Sequence, residues 1–171
     1  MRHLKKVEIK RLSRTYKRNY EIVILLENID YARNVASIFR IADAAGVAKI
    51  YLAGISQTPP FGKELQKVSR LKEKRVKWEY TKSINKTIEN LKRDGFYVIA
   101  VDLLDNAFPI LEIKKHIKFK TKLCFVFGNE VYGITKSTLE QCDAGCFVPM
   151  YGKGASLNVA MTAAVVLFGV Y

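Results

Sequence analysis

FVPMYGKGASLNVAMTAAVVLFGVY, residues 147–171, is the stretch that decides how the rest of the chain folds. A loop with two glycines leads to Ser156, a residue type that caps helices by accepting a backbone N–H of the first turn. From Leu157 onward only Asn158 and Thr162 are polar. We therefore predict a helix of about 15 residues, shorter than the roughly 20 that span a bilayer. Because it is apolar all round, it must be buried on more than one side, against its own sheet and against a second copy of the chain.

Upstream of this stretch, apolar runs typical of strands alternate with segments of helical spacing. EIVILLE (21–27) is a continuous apolar run, which is typical of a strand buried on both faces. Residues 31–45 place apolar side chains at helical spacing before Gly46, which ends the helix. The predicted strands are 21–27, 48–54, 76–80, 96–102, 122–130 and 145–149, and the other predicted helices are 61–75, 83–93 and 135–142. The segment 108–122 fits neither pattern.

This alternation predicts an α/β fold, with one domain over residues 19–171 and a mostly parallel sheet flanked by helices. Residues 1–18 are predicted to form a basic amino-terminal arm or short helix ahead of it. In parallel sheets, ligands bind beyond the carboxyl ends of the strands. Polar or glycine-bearing turns follow predicted strands at 27–28, 102–105, 128–130 and 149–156. The last three lie in the second half of the chain, where we expect a small-molecule pocket.

The chain is strongly basic, with 29 Lys plus Arg against 16 Asp plus Glu and a formal net charge of +13. Eight of the basic residues fall in 1–18, eleven in 63–93 and five in 114–122, and aromatic residues such as Tyr16 and Trp78 lie among them. Basic blocks interleaved with aromatic side chains suit a polyanion, most simply a nucleic acid. Any single block is also compatible with an ordinary solvated helix face, but three blocks together favour a nucleic-acid partner.

Several other classes of protein are disfavoured. Residues 1–18 contain no apolar segment of the kind found in signal peptides, and three cysteines without such a signal are typical of reduced thiols, so we expect a cytoplasmic protein. Cys142 and Cys146 have no nearby histidine or second cysteine pair, which argues against a metal site. The loop YGKGAS lacks P-loop spacing, no GxGxxG follows a strand, and no Ser/His/Asp grouping supports hydrolysis.

Three separated segments resemble one known family. They are NVASIFRIA (34–42), FGNEVYGI (127–134) and VPMYGKGASLNVAMTAAVVLF (148–168). In this order and at these distances they are similar to motifs 1, 2 and 3 of the SpoU/TrmH family of SPOUT RNA methyltransferases. The resemblance covers the chain from about residue 20 onward. Each segment alone is short, but all three in order, on a basic α/β chain, make a specific match.

The resemblance implies a fold and an activity that composition and spacing do not. Members of the family have a C-terminal deep trefoil knot, an exception to the usual rule against knots. They bind S-adenosylmethionine in the knot and form homodimers through the helices beside it. They methylate a ribose 2′-hydroxyl in structured RNA, either tRNA or rRNA, without a metal or a membrane. The resemblance does not say which RNA or which nucleotide this chain would take.

The resemblance also assigns roles to ten residues. The catalytic set is Arg40, Asn34, Glu130, Ser156 and Asn158, and the cofactor-binding set is Leu103, Gly128, Val148, Met150 and Leu157. Arg40 is the motif 1 arginine, implicated in activating the hydroxyl. Because a guanidinium stays protonated, we interpret it as stabilising the developing alkoxide or orienting a target phosphate rather than as a base. Asn34 and Glu130 are expected to hold Arg40 and the pocket loops by hydrogen bonds.

Ordinary structural roles remain open for several of these residues. Arg40 is also compatible with a helix surface, Glu130 with a carboxylate at a helix start, and Ser156 with a simple cap. Val148 and Leu157 are also compatible with the core. Gly128 suits a place where backbone approaches a ligand, since it has no Cβ. The roles of Asp102 and Asp105 stay undecided.

Two rival functions are weighed against ribose methylation. A non-catalytic RNA-binding or assembly protein with this fold would not need to keep the motif residues Arg40, Glu130, Ser156 and Asn158. Base methylation, performed by another branch of the superfamily, is disfavoured by the NxxSIFR and SLNV segments. The sequence therefore predicts an S-adenosylmethionine-dependent ribose 2′-O-methyltransferase acting on tRNA or rRNA.

Overall fold

A computed structural model of the chain describes residues 2–13, 15–16 and 19–171. Part of the basic arm predicted over residues 1–18 lies outside the described residues, namely Met1, Arg14, Lys17 and Arg18. The description of the arm below is confined to its other residues.

A short basic helix, α1, occupies Lys6–Ser13 of the arm. The guanidinium of Arg2 donates two hydrogen bonds, of 2.9 and 2.6 Å, to the carboxylate of Glu8, and the backbone N–H of Lys5 donates to the same carboxylate at 2.7 Å. The Arg2 guanidinium, followed by this N–H, lowers the pKa of Glu8 to about 2. The apolar side chain of Val7 is exposed. The arm therefore has internal structure but leaves apolar surface open to solvent.

The domain is built on one parallel sheet. Its strands are β1 (Glu21–Glu27), β2 (Lys49–Ala53), β3 (Lys77–Thr81), β4 (Tyr97–Val101), β5 (Phe108–Pro109), β6 (Lys122–Phe127) and β7 (Ala144–Phe147). They lie in the order β3-β2-β1-β6-β4-β7-β5, and each adjacent pair runs parallel. The predicted parallel α/β sheet is confirmed, with strand boundaries shifted by at most three residues. β5 lies in the segment 108–122 that fits neither pattern.

Helices cover both faces of the sheet. They are α2 (Ala32–Ala45), α3 (Lys63–Ser69), α4 (Ile84–Arg93), α5 (Ile113–His116), α6 (Lys136–Leu139) and α7 (Val159–Gly169), with 3₁₀ turns at Lys72–Lys74 and Ile110–Glu112. α2 ends at Gly46 in the left-handed conformation (φ 71°), as predicted. The single helix predicted over 61–75 is wrong. It breaks at Arg70 and Leu71, whose left-handed backbones (φ 53° and 59°) cannot continue a right-handed helix.

Strand β1 separates two apolar cores. Ile22, Ile24 and Leu26 pack in the core that also holds α2 and α7. Val23 and Leu25 pack in the core that holds α4. Both faces of β1 are therefore buried, which explains why EIVILLE has no polar residue between its ends. Each such side chain contributes roughly 1.5–3 kcal/mol through removal from water.

The C-terminal helix α7 is shorter than predicted and is covered on one face. It has 11 residues, beginning at Val159 rather than at Leu157. Ala163 and Val166 are fully buried and pack in the α2 core, whereas Met161 and Phe168 are 58% and 53% exposed. Its second apolar face is uncovered in the single chain, so burial against a second copy stays a prediction. Among the described residues, no helix combines the length and apolarity needed to cross a membrane.

Candidate active site

A cavity of about 360 Å³ opens at the carboxyl ends of β4, β6 and β7. Its walls come from the loops that follow these three strands and from the amino ends of α2 and α7. The three second-half turns expected to form a pocket, at 102–105, 128–130 and 149–156, all contribute to it. The earlier turn at 27–28 does not, but Tyr31 and Asn34 just after it do. The volume lies within the range of ligand pockets, roughly 300–1,000 Å³.

All five residues assigned to the cofactor, Leu103, Gly128, Val148, Met150 and Leu157, line this cavity. Val148 also packs against the core that holds α2 and α7, so it has the ordinary structural role as well. Leu157 is 41% exposed, and the core role considered for it is not observed. The assigned set therefore converges on one concave surface contributed by three separate loops.

Three of the residues assigned to catalysis are joined directly by hydrogen bonds. The Nδ2 of Asn34 donates to Oε1 of Glu130 at 2.6 Å. The Nδ2 of Asn158 donates to Oδ1 of Asn34 at 3.0 Å. A carboxylate accepting from an amide makes a stronger bond than two neutral groups do. The chain of contacts fixes both amide orientations and ties the first, second and third motif segments together.

Glu130 also holds the start of α2. Its Oε2 accepts from the backbone N–H of Asp30 at 3.0 Å, and its Oε1 faces that of Tyr31 at 3.5 Å. These donors lie at the amino end of α2, where a negative charge is stabilised by the helix dipole. The helix-start role considered for Glu130 is thus present, but it acts on α2 from across the site. One carboxylate serves both the helix and the cavity.

Asn158, not Ser156, caps α7. The Oδ1 of Asn158 accepts from the backbone N–H of Ala160 at 2.9 Å, and the helix begins at the next residue, Val159. The capping role given to Ser156 is therefore wrong. Both residue types cap well, and the choice falls on Asn158 because its side chain reaches an otherwise unpaired N–H of the first turn. Ser156 lies exposed in the loop and lines the cavity.

Arg40 is the one assigned residue that does not line the cavity. It lies on α2, six residues beyond Asn34, with its side chain exposed. Because six residues turn a helix through about 600°, Arg40 and Asn34 point in different directions. The hydrogen bonds from Asn34 and Glu130 that were expected to hold Arg40 are not among those described. In a single chain, Arg40 is therefore separate from the other nine assigned residues.

Gly128 has a structural reason that differs from the one expected. A Cβ at this position would lie 2.3 Å from the carbonyl carbon of Gly133 and 2.4 Å from the nitrogen of Ile134. The backbone that approaches Gly128 closely belongs to its own loop, so the absence of a side chain is needed with or without a ligand. Gly128 lines the cavity as a consequence of this tight fold.

Asp102, left undecided from sequence, positions that same loop. Its Oδ2 accepts from the backbone N–H of Ile134 at 3.0 Å, and its Oδ1 accepts from that of Leu103 at 2.8 Å. Gly133 is also required here, since a Cβ on its left-handed backbone (φ 68°) would lie 2.5 Å from Oδ2. The sequence contained one indication of this role, an aspartate directly after an apolar strand. It could not show that the partner lies 32 residues away.

Cys142 and Cys146, the two cysteines just before the third motif, do not line the cavity and are not suited to nucleophilic attack. Burial raises the pKa of the Cys146 thiol on β7 to about 12. Burial, followed by the charge of Asp143, raises the pKa of Cys142 to about 12 as well. Neither provides a thiolate near neutral pH. Within the described ranges there is no group of three or more His, Cys, Asp or Glu side chains placed to hold a metal ion. The cavity can bind and orient a ligand through backbone, amide and hydroxyl groups.

Comparison with known proteins is consistent with this geometry. The sequence model of the SpoU rRNA Methylase family matches residues 21–168. A tRNA (guanosine(18)-2′-O)-methyltransferase of Thermus thermophilus is 29% identical over 155 residues, which are 89% of this chain and 75% of that protein. The enzyme of the same name from Escherichia coli is 27% identical, with 89% of this chain and 63% of that protein covered. A 23S rRNA (guanosine(2553)-2′-O)-methyltransferase of Bacillus subtilis is 29% identical over 85% of this chain and 56% of its own length.

Solved structures share the fold. The Aquifex aeolicus TrmH/SpoU tRNA modifying enzyme superposes with a TM-score of 0.76 at 24% identity, covering 95% of this chain and 82% of that one. An rRNA methyltransferase of Sinorhizobium meliloti superposes with a TM-score of 0.75 at 26% identity, covering 87% of this chain and 54% of that one. At these identities the superpositions support the architecture of the sheet and its helices.

Proposed function

The chain belongs to the SpoU rRNA methylase family, and on that premise we propose that it is an S-adenosylmethionine-dependent methyltransferase acting on a ribose 2′-hydroxyl of tRNA or rRNA. The observation that carries this proposal is the convergence of nine of the ten assigned residues on one cavity. Relatives of similar sequence are named as 2′-O-methyltransferases of tRNA and of 23S rRNA. We also propose that the protein is located in the cytoplasm.

The cavity has the features that S-adenosylmethionine requires. Val148, Met150 and Leu157 offer apolar surface for the adenine, and we assign the backbone at Leu103 and Gly128, which also lines the cavity, to polar contacts with its edge and with the ribose. When bound, this cofactor supplies a methyl group on a sulfonium, which transfers in line to an oxygen nucleophile. The work of the protein is then to align the hydroxyl and to stabilise it as it loses its proton. We assign to Ser156 and Asn158, which both line the cavity, the task of orienting the ribose.

Arg40 completes the site from a second copy of the chain. Its guanidinium stays protonated and so cannot serve as the base, but it stabilises a developing alkoxide or holds the target phosphate. In the single chain it lies outside the cavity, while the neighbouring helix α7 exposes an apolar face that includes Met161 and Phe168. A homodimer that buries this face brings the exposed side of α2 in one copy towards the cavity of the other. Supporting this, α2 and α7 pack in one core.

A trefoil knot is part of the same proposal. In the sheet, β6 lies between β1 and β4. The 20 residues of chain that connect β4 to β6 include β5, the short strand at the far edge of the sheet. The segment after β7 returns across this region to reach α7, which packs beside α2. Such a path is compatible with the C-terminal segment passing through a loop of the chain, and the family resemblance favours it.

The RNA partner is supported by charge. The net charge of +13 favours binding to a phosphate backbone, with counterion release as a main contribution. Exposed lysines and arginines of the α1 arm and of residues 63–93 lie outside the cavity walls. We assign these two regions to holding the RNA while the cavity holds the cofactor.

Two measurements test the proposal. Calorimetric titration should show S-adenosylmethionine binding, and mass analysis of nuclease-digested RNA should show a methylated ribose. Absence of cofactor binding would favour a non-catalytic RNA-binding protein. A methylated base would show that the protein methylates bases rather than the ribose.

The role of Arg40 has its own test. Arg40→Ala should abolish turnover while leaving cofactor affinity within a few-fold, because Arg40 does not line the cofactor cavity. Lys118→Ala, which removes an exposed cation that neither lines the cavity nor belongs to the two regions assigned to the RNA, is the control for loss of charge. Mixing Arg40→Ala with a variant defective in cofactor binding should restore part of the activity if each site takes Arg40 from the other copy. Retained turnover in Arg40→Ala would refute the assignment.

A further inference from the structure

Three exposed tyrosines lie on the loops that form the cavity. Tyr31 lines the cavity itself, Tyr132 lies between the lining residues Glu130 and Gly133, and Tyr151 follows the lining residue Met150. Their exposed fractions are 62%, 89% and 88%. They come from three different loops, yet all lie within one residue of the cavity wall or in it. Among the described residues, none of the three rings stacks on another ring or on a cation.

The backbone that carries Tyr132 is firmly held. The Oδ1 of Asn129 accepts from the backbone N–H groups of Val131 and Tyr132 at 2.9 and 3.0 Å. Asn129 and Gly133 also exchange two backbone hydrogen bonds of 3.0 and 2.9 Å. The ring therefore projects into solvent from a fixed tip. A tyrosine presented in this way makes a large contact at little conformational-entropy cost.

The loop of Tyr31 is tied to the loop of Tyr132. The Nδ2 of Asn129 donates to the backbone carbonyl of Asn28 at 2.9 Å, and Glu130 accepts from the backbone N–H of Asp30 at 3.0 Å. These two rings thus stand on one connected unit. Tyr151 stands on the separate loop between β7 and α7. The mouth has a fixed aromatic side and a second aromatic side on the loop that also carries Ser156.

Exposed cations lie close in sequence to each of these tyrosines. Arg33, Lys136 and Lys153 are exposed and lie two to four residues from Tyr31, Tyr132 and Tyr151 respectively. Exposed aromatic side chains on segments that also present cations suit an unpaired nucleotide, because a base can stack on the ring while its phosphate meets a cation. A second copy of a chain with a net charge of +13 would be repelled from the same surface. The uncharged apolar face of α7 is the better surface for such a copy.

We propose that Tyr132 and Tyr151, with Tyr31 at the cavity wall, form an aromatic clamp that stacks on an unpaired base beside the reacting ribose. The clamp restricts the enzyme to nucleotides in loops, bulges or single strands, because a base paired in a duplex keeps both of its faces stacked within the helix. This inference rests on the proposed RNA methyltransferase function and adds to it the structural class of the target nucleotide.

The test uses the full chain and a short single-stranded RNA that carries one 2-aminopurine, a base whose fluorescence is quenched by stacking. The variants are Tyr132→Leu and Tyr151→Leu, which keep apolar volume but remove the aromatic face, and the Tyr→Phe changes at the same positions, which keep it. Each Leu variant should weaken RNA binding by roughly 5- to 100-fold and abolish its share of the quenching, whereas the Phe variants should behave like the wild type. Leu111→Ala, which removes an exposed apolar side chain that does not line the cavity, should have no effect.

Several results would overturn the clamp. The clamp would be contradicted if the Leu variants bound RNA and quenched its fluorescence as the wild type does. It would also be contradicted if a blunt RNA duplex competed for binding as well as the single strand does. Conversion of a wild-type dimer to monomers by Tyr132→Leu or Tyr151→Leu, seen by sedimentation, would show that a second copy covers these rings. Calorimetric titration of the wild type with S-adenosylmethionine is run in parallel. Absence of S-adenosylmethionine binding in that titration would contradict the proposed methyltransferase function, whereas the RNA fluorescence would still test separately whether the clamp exists.

Discussion

Gly128→Ala is the substitution whose consequence follows most directly from the structure. A Cβ at this position would lie 2.3 Å from the carbonyl carbon of Gly133 and 2.4 Å from its oxygen, whereas ordinary van der Waals contact begins at 3.4 Å. The backbone on the two sides of the loop would have to separate by about 1 Å. Both neighbours are backbone atoms, so no side-chain rotation can relieve the clash.

The magnitude has two contributions. Overpacking a closely packed site costs about 1–3 kcal/mol. Separation of the loop also strains the two backbone hydrogen bonds between Asn129 and Gly133, each worth about 0.5–1.5 kcal/mol. The free energy of unfolding should therefore fall by about 2–6 kcal/mol, a large part of the roughly 5–15 kcal/mol that a domain possesses. Because the same loop forms one wall of the cavity, affinity for S-adenosylmethionine should fall as well.

Urea unfolding followed by circular dichroism measures the first effect, and calorimetric titration measures the second. Gly152→Ala and Gly154→Ala are matched controls, because a Cβ at either position meets nothing within 4 Å. Both should stay within about 0.5 kcal/mol of the wild type. If Gly128→Ala were as stable as these controls and bound the cofactor normally, the close approach of Gly133 to Gly128 would be wrong.

Two further predictions concern the cap of α7 and the buried thiols. Asn158→Ala should lower the free energy of unfolding by about 1 kcal/mol because it removes the cap, whereas Ser156→Ala should leave it nearly unchanged. Urea unfolding that showed Ser156→Ala to be the less stable of the two variants would contradict the assigned cap. Burial raises the pKa of Cys146 in the folded state to about 12, whereas the pKa of a cysteine in the unfolded chain is about 8.5. The neutral buried thiol therefore contributes its full stability below about pH 8.5, and this contribution is lost as the pH rises from there towards the folded-state pKa. Cys146→Ala should therefore lose less stability between about pH 8 and pH 10 than the wild type does, and equal losses would refute the linkage.

The parts of the fold that the sequence predicted are those encoded by local pattern. β1 is buried on both faces, and this appears in the chain as an unbroken apolar run. α2 ends where Gly46 supplies a left-handed residue. A cavity lies at the carboxyl ends of β4, β6 and β7, the edge where polar turns follow apolar strands and where a pocket was predicted.

The parts that could not be predicted depend on distant contacts or on equivalent local choices. The insertion of β6 between β1 and β4 rests on pairs such as Ile24 with Phe125, about a hundred residues apart, which no local pattern contains. Arg70 and Leu71 are good helix formers, so nothing in their sequence marks the left-handed break. Ser156 and Asn158 are both favourable caps, and only the observed start of α7 at Val159 decides between them.

Three carboxylates hold the loops at the carboxyl edge of the sheet, and two of them, Asp102 and Glu130, line the cavity. Each of three acids accepts a backbone N–H from another loop: Glu27 from Thr135 at 3.1 Å, Asp102 from Ile134 at 3.0 Å and Glu130 from Asp30 at 3.0 Å. Main-chain dipoles thus stabilise these anions, and no lysine or arginine in the described part of the chain forms an ion pair with any of the three. Carboxylate oxygens that accept from neighbouring loops also oppose an approaching phosphate less than oxygens directed at the solvent would. The same bonds that fix the shape of the cavity therefore reduce the electrostatic cost of bringing RNA to it, and the exposed cations of this basic chain remain available for the phosphate backbone.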